Sequence, residues 1–149
     1  MTMPAWYDIY GLDKNAKEDN QGILQTRKRI LDLIESENTL ELPVFIGGFS
    51  QGGVVALDVA LGTGMKFKGV LSLSSYLSKT SRSSKIIEAP PLIHLIHGDA
   101  DQVIDISYAR DSLEFLRSAK LEPLWSEHKG KGHELCDIEE IIQFLTINF

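Results

Sequence analysis

Ser50 lies in the run Gly48-Phe49-Ser50-Gln51-Gly52, with Gly53 directly behind it. A serine flanked at two positions on either side by glycine can sit in a strained turn, because such a turn leaves no room for larger neighbours. The apolar run Val44-Phe45-Ile46 precedes it and a helical pattern follows, which is the strand–turn–helix setting of an exposed nucleophile. A helix starting after Ser50 would aim its first amides at a reacting carbonyl, the Gln51 N–H being one oxyanion donor. The bland alternative is a glycine-rich turn carrying a solvated serine.

Such a serine needs a general base and a carboxylate to orient that base. His97-Gly98-Asp99-Ala100-Asp101 follows the apolar run Leu92 to Ile96, and Gly130-Lys131-Gly132-His133-Glu134 follows the last expected strand, Leu124 to His128. Both lie at the C-terminal ends of predicted strands, the same edge as Ser50. Asp99 is close enough to the strand end to tie the turn through backbone amides. Asp101 is farther out and is favoured as the orienting acid. His94 points into a strand interior, His97 is placed to brace the turn with a backbone hydrogen bond, and His128 sits on the last strand. His133, on a glycine-flanked loop, has the freedom a base requires. It must be neutral to accept a proton, so reactivity should rise with pH as the imidazole deprotonates. Cys136 reads as a small apolar helix residue, and Glu139 and Glu140 as a solvated helix face.

The elements that hold these residues alternate. Asp19 or Asn20 caps a helix with Ile23, Leu24, Ile30, Leu31 and Ile34 on one face. Strands are expected at 44–46, 69–73, 92–96 and 124–128, the first closed by Gly47-Gly48. Helices are expected at 51–61, about 107–119 with Leu113 and Leu116 inward, and 138–149 with Ile141, Ile142 and Leu145 on one face. Residues 78–85 read as a loop, and residues 1–19 contain no clear opening strand. Short apolar strands between helices predict an α/β fold with about four parallel strands buried on both faces.

Composition bounds the rest. The 149 residues are 43% hydrophobic and 24% charged, which fits one soluble globular domain over 1–149. Fifteen Lys and Arg against 21 Asp and Glu leave a net charge of −6, which argues against nucleic acid or an anionic membrane surface as partner. The single cysteine excludes an internal disulfide framework and a cysteine-based zinc site. With no basic segment before an apolar run and no long apolar stretch, a cytoplasmic chain without integral membrane contact is expected.

Gly48 to Gly53 (GFSQGG), His97 to Ile104 (HGDADQVI), Gly130 to Cys136 (GKGHELC) and the opening Met3-Pro4-Ala5-Trp6-Tyr7-Asp8-Ile9 resemble the carboxylesterase/phospholipase family that includes the acyl-protein thioesterases. The resemblance implies an α/β-hydrolase-type, mostly parallel sheet with flanking helices. It also implies hydrolysis of carboxylic esters or acyl thioesters by Ser50, Asp101 and His133, without metal or organic cofactor. Its substrates would be small-molecule esters or thioesters, including lipid-derived ones. Trp6, Leu73, Tyr76 and Leu77 are candidates for an acyl pocket, since residues 74–77 follow a strand on the active edge.

The family's chains extend further at the N-terminus, and the present sequence is expected to lack their first strands and an H-G-x-G-type loop that supplies a second oxyanion N–H. Losing one such donor costs about 10²–10³ in turnover, and an uncovered sheet edge invites a homodimer. The competing expectation is therefore a catalytically impaired or fragmentary module that binds a hydrophobic ligand or a partner chain.

Overall fold

In the computed structural model, which describes residues 4–11, 16–84 and 90–148, four strands form one parallel sheet in sequential order. They are β1 (Phe45–Phe49), β2 (Gly69–Leu73), β3 (Leu92–Gly98) and β4 (Leu124–His128). Helices α1 (Asn20–Glu37), α2 (Gln51–Gly62), α3 (Lys79–Arg82), α4 (Ile106–Ser118) and α5 (Ile138–Asn148) complete it.

Side chains of a strand alternate between faces, and the core divides accordingly. Val44, Ile46, Val70, Ile93 and Leu95 pack with α2 and with Leu113 and Leu116 of α4. Phe45, Phe49, Leu71, Leu73, Leu92 and Ile96 pack on the other face with Ile141, Phe144 and Leu145 of α5. Because both faces are covered, β2 is buried at every position. Helix α1 rests on α2, where Arg27 sends two hydrogen bonds of 2.8 Å to the Asp58 carboxylate and a third of 3.1 Å to the Gly62 carbonyl. Asp58 also accepts from the Ser81 hydroxyl at 2.9 Å, so α1, α2 and α3 meet at one buried carboxylate.

The structure departs from the sequence reading at several places. Strand β1 does not stop at Gly47-Gly48 but runs through them to Phe49, because a Cβ at Gly47 would stand 3.1 Å from Leu71 Cβ and glycine lets the strands approach. Within 78–85, residues 79–82 form a turn of helix, its first amides met by Ser78 and by the Glu18 carboxylate; Lys85 lies outside the described residues, as do Met3 and Phe149. Leu24 and Ile142 are exposed; Thr26 and Phe144 take the buried positions instead, since each helix meets its neighbour along a slightly rotated stripe. Cys136 precedes α5 rather than lying in it, and packs against the cluster beneath that helix. Glu140 is not a solvated side chain: its carboxylate accepts from the Ser126 hydroxyl and lies 2.9 Å from His128 Nε2 and 3.3 Å from His94 Nε2. Among the described residues, the opening segment contributes only an isolated antiparallel bridge between Ile9 and Glu18.

Candidate active site

The parallel order puts the C-terminal ends of all four strands on one edge, where the candidate residues emerge. Ser50 follows β1 directly and has φ 54° and ψ −122°, a left-handed conformation that costs a non-glycine residue energy. Its N–H continues the sheet ladder to the Leu73 carbonyl at 2.8 Å, and its carbonyl accepts from Gly53 N at 3.0 Å. Ladder on one side and helix on the other hold the strained residue in place.

The steric demand of this turn falls on two glycines, and Gly52 is not one of them. A Cβ at Gly48 would stand 2.2 Å from the Gly52 carbonyl carbon and oxygen, and one at Gly53 would stand 2.6 Å from Ser75 Cβ and 2.9 Å from the Gly48 oxygen. At Gly52 the nearest heavy atom is Trp6 Nε1 at 3.9 Å, which is ordinary contact. Gly48→Ala is therefore expected to cost about 1–3 kcal/mol through overpacking and to misplace Ser50, whereas Gly52→Ala keeps the wild-type unfolding midpoint. Urea unfolding of the two variants side by side checks this.

The other two residues reach Ser50 from neighbouring loops. Ser50 Oγ lies 2.9 Å from His133 Nε2, and His133 Nδ1 lies 2.8 Å from Asp101 Oδ2. These partners assign the imidazole proton to Nδ1, leaving Nε2 to accept from the serine. The Phe49 ring stands 4.7 Å from the His133 ring and limits its swing. Asp101 is fully buried at its side chain; Oδ1 accepts from Val103 N at 2.8 Å and Ile104 N at 2.9 Å. Burial acts to raise its pKa, but the hydrogen bonds from His133, Ile104 and Val103 outweigh it and hold the carboxyl below the usual carboxylate range.

Close approach of the two loops depends on Gly98. A Cβ there would stand 2.2 Å from the Lys131 carbonyl oxygen, which instead accepts from Ala100 N at 2.9 Å. Asp99 ties the same junction, its carboxylate accepting from Gly130 N at 2.5 Å. Ser74, which follows β2 with φ 46°, donates its hydroxyl to the Glu134 carbonyl at 3.2 Å and steadies the loop beyond His133. Asp99 was expected to tie a turn through backbone amides, and the amide it meets belongs to the neighbouring loop. The Gly98 approach and the Ser74 bond had no signature in the sequence, because each joins residues distant along the chain.

Gln51 has a second part that the sequence reading missed. It opens α2, so its N–H is among the amides that lack an intrahelical partner. Its side chain bridges to the opening segment, accepting from Trp6 N at 3.0 Å and donating to the Tyr7 carbonyl at 2.7 Å. The pocket candidates do not converge on one place. Tyr76 and Leu77 line a cleft of about 370 Å³ with Tyr7, Val103, Ile104 and Tyr108. Leu73 is buried on the α5 face of the sheet, and Trp6 is half exposed beside Gly52. Burial and the adjacent Tyr76 push the Tyr7 phenol upward, so it stays protonated as a hydrogen-bonding wall of that cleft.

At the end of β4, ligand atoms of His128, Asp137 and Glu140 lie within 4.8 Å of one another, the one such group among the described residues. Glu140 there is already engaged by His128 and Ser126. Among the described residues no helix is long and apolar enough to cross a membrane.

The sequence matches the phospholipase/carboxylesterase family model over residues 1–149. It is 33% identical to acyl-protein thioesterase 1 of Neurospora crassa over 161 aligned positions, covering 98% of this chain and 66% of that protein. It is 36% identical to the protein of the same name from Yarrowia lipolytica, covering 98% of this chain and 68% of that one. The chain thus spans about two thirds of the length of these relatives. In fold it is similar to Arabidopsis thaliana SOBER1 (TM-score 0.86, 22% identity, 97% of this chain and 73% of that one). Zea mays acyl-protein thioesterase 2 is similar too, with a TM-score of 0.80 at 23% identity over 97% of this chain and 72% of that one. A strained serine at the end of β1 inside an α/β-hydrolase-type sheet, and a family match along the whole sequence, lead to one statement: this chain belongs to the phospholipase/carboxylesterase family.

Proposed function

We propose that the chain is a serine hydrolase that cleaves carboxylic esters or acyl thioesters. The observation that carries this is the continuous hydrogen-bond relay from Ser50 through His133 to Asp101. Ser50 Oγ attacks the acyl carbon while its proton passes to His133 Nε2, and Asp101 stabilises the resulting imidazolium. The oxyanion forms beside the N-terminus of α2, where the Gln51 N–H donates. His133 then returns the proton to the leaving alcohol or thiol, giving the acyl-enzyme. Water attacks that ester with His133 again as base, and the carboxylic acid leaves.

The names of the relatives support an acyl thioester as substrate. The cleft bearing Tyr76 and Leu77 is our candidate for the acyl group, since Val103 and Ile104 in its wall also hold Asp101.

The test is the intact mass of the protein after exposure to a fluorophosphonate. One phosphonyl adduct per chain is expected, absent from Ser50→Ala. A folded wild-type protein that takes up no adduct would sink the proposal. Labelling that persists in Ser50→Ala would move the nucleophile elsewhere.

A further inference from the structure

His97 is a buried titratable residue that the relay above does not use. It is the penultimate residue of β3, its side chain is 1% exposed, and its ring contacts the loop that carries Asp101. Nε2 stands 2.8 Å from the Ile104 carbonyl and 3.3 Å from Asp101 Oδ2, the same oxygen that accepts from His133. Both neighbours are acceptors, so the ring proton is assigned to Nε2, which donates to the Ile104 carbonyl and lies in electrostatic contact with the Asp101 carboxylate. Nδ1 has no partner among the described residues.

We infer that His97 is a positioning residue: it holds the Asp101 carboxylate at the angle from which Oδ2 meets His133. The inference rests on the proposed hydrolase reading for its effect on activity, though not for its effect on the loop. The reasoning is geometric. Asp101 Oδ1 is fixed by two amides of its own loop, but those amides move with the loop and do not anchor it to the sheet. His97 is part of β3, whose register is set by pairing with β2 and β4. Its donation to Ile104 ties the far end of the turn to that rigid frame, and its contact with Oδ2 sets the carboxylate's rotation. A bond that works only through Asp101 touches neither substrate nor reacting atom, so its loss should lower the rate of attack without weakening substrate binding.

The experiment compares wild type, His97→Phe and His97→Gln. Phe keeps the ring volume and loses the donor. Gln places an amide N–H near the position of Nε2. Two readouts are taken: the rate of fluorophosphonate labelling against pH, and hydrogen exchange at the Val103 and Ile104 amides.

His97→Phe is expected to lower the maximal labelling rate about tenfold, since the Asp101 carboxylate loses the N–H dipole beside it and its loop loses a tie to β3. Its acid limb should move to higher pH, because a carboxylate without the His97 N–H dipole beside it attracts the His133 imidazolium more strongly. Exchange at Val103 and Ile104 should quicken, and His97→Gln should restore most of all three. Should the Phe variant not fold, His97→Asn takes its place, because its shorter amide does not reach Oδ2.

Wild-type rates, profile and exchange in the donor-less variant would overturn the inference and reduce His97 to packing. So would equal damage from Gln and Phe. If wild type itself takes no label but exchange follows the expected pattern, the hydrolase proposal fails and the bracing role of His97 stands.

Discussion

Replacing Asp101 with Asn should lower turnover by about four orders of magnitude while leaving the fold in place. The reason is the arrangement of donors around the carboxylate. Oδ1 faces the Val103 and Ile104 amides and Oδ2 faces His133 Nδ1. An Asn has one acceptor oxygen, and two backbone amides compete for it. Turned towards them, it presents its NH₂ to His133 and forces the imidazole proton onto Nε2. In that tautomer the histidine cannot take a proton from Ser50. Single-turnover kinetics on an activated ester would read the loss as kcat with little change in KM.

The same carboxylate carries a pH signature in stability. Its folded pKa is lower than that of an unfolded Asp, which is about 3.9. The stabilisation is therefore present above about pH 4 and fades as pH falls through the folded value. Thermal midpoints of wild type and Asp101→Asn should differ at neutral pH and converge below that range. A constant gap down to acid pH would contradict the assignment.

The second large effect is structural. Arg27→Ala should cost about 3–5 kcal/mol, because it leaves a buried carboxylate without its cation. Asp58 is 1% exposed, and only the Ser81 hydroxyl would remain to donate to it among the bonds described above. Removing both charges is a different matter. Arg27→Met with Asp58→Leu should recover most of the loss, since apolar replacements of a buried pair are often close to neutral. Urea unfolding of the single and double variants forms the cycle, and additive losses would show that the pair is not coupled.

How much could be read without coordinates depended on the range of the interaction. Strand β2 begins and ends where the apolar run 69–73 does, because a parallel strand buried on both faces is a local hydrophobic signal. The edge strand β4, with no buried position, also keeps the expected bounds 124–128. Strand β1 was read short because its glycines look like a turn until Leu71 is seen lying against them. The engagement of Glu140 is illegible for a related reason: its partners Ser126, His128 and His94 sit on two other elements. In the site, the common edge of Ser50, Asp101 and His133 could be read from strand ends, while the choice of Asp101 over Asp99 rested on how far each lies from the end of β3. The bridge from Gln51 to Trp6 and Tyr7 could not be read, nor could the second contact of His97, since helix pattern and turn chemistry say nothing about which distant carbonyl a side chain meets.

Ser50 and His133 are 83 positions apart, and the sequential strand order places three crossovers between them. During synthesis at roughly 5–20 residues per second, the serine precedes its base by about 4–17 s. Over that interval the nascent polypeptide carries a hydroxyl with no proton acceptor, and is chemically silent toward acyl groups around the ribosome. Under the proposed mechanism, Ser50 would gain its base only once β4 docks beside β3 and brings the His133 loop to it.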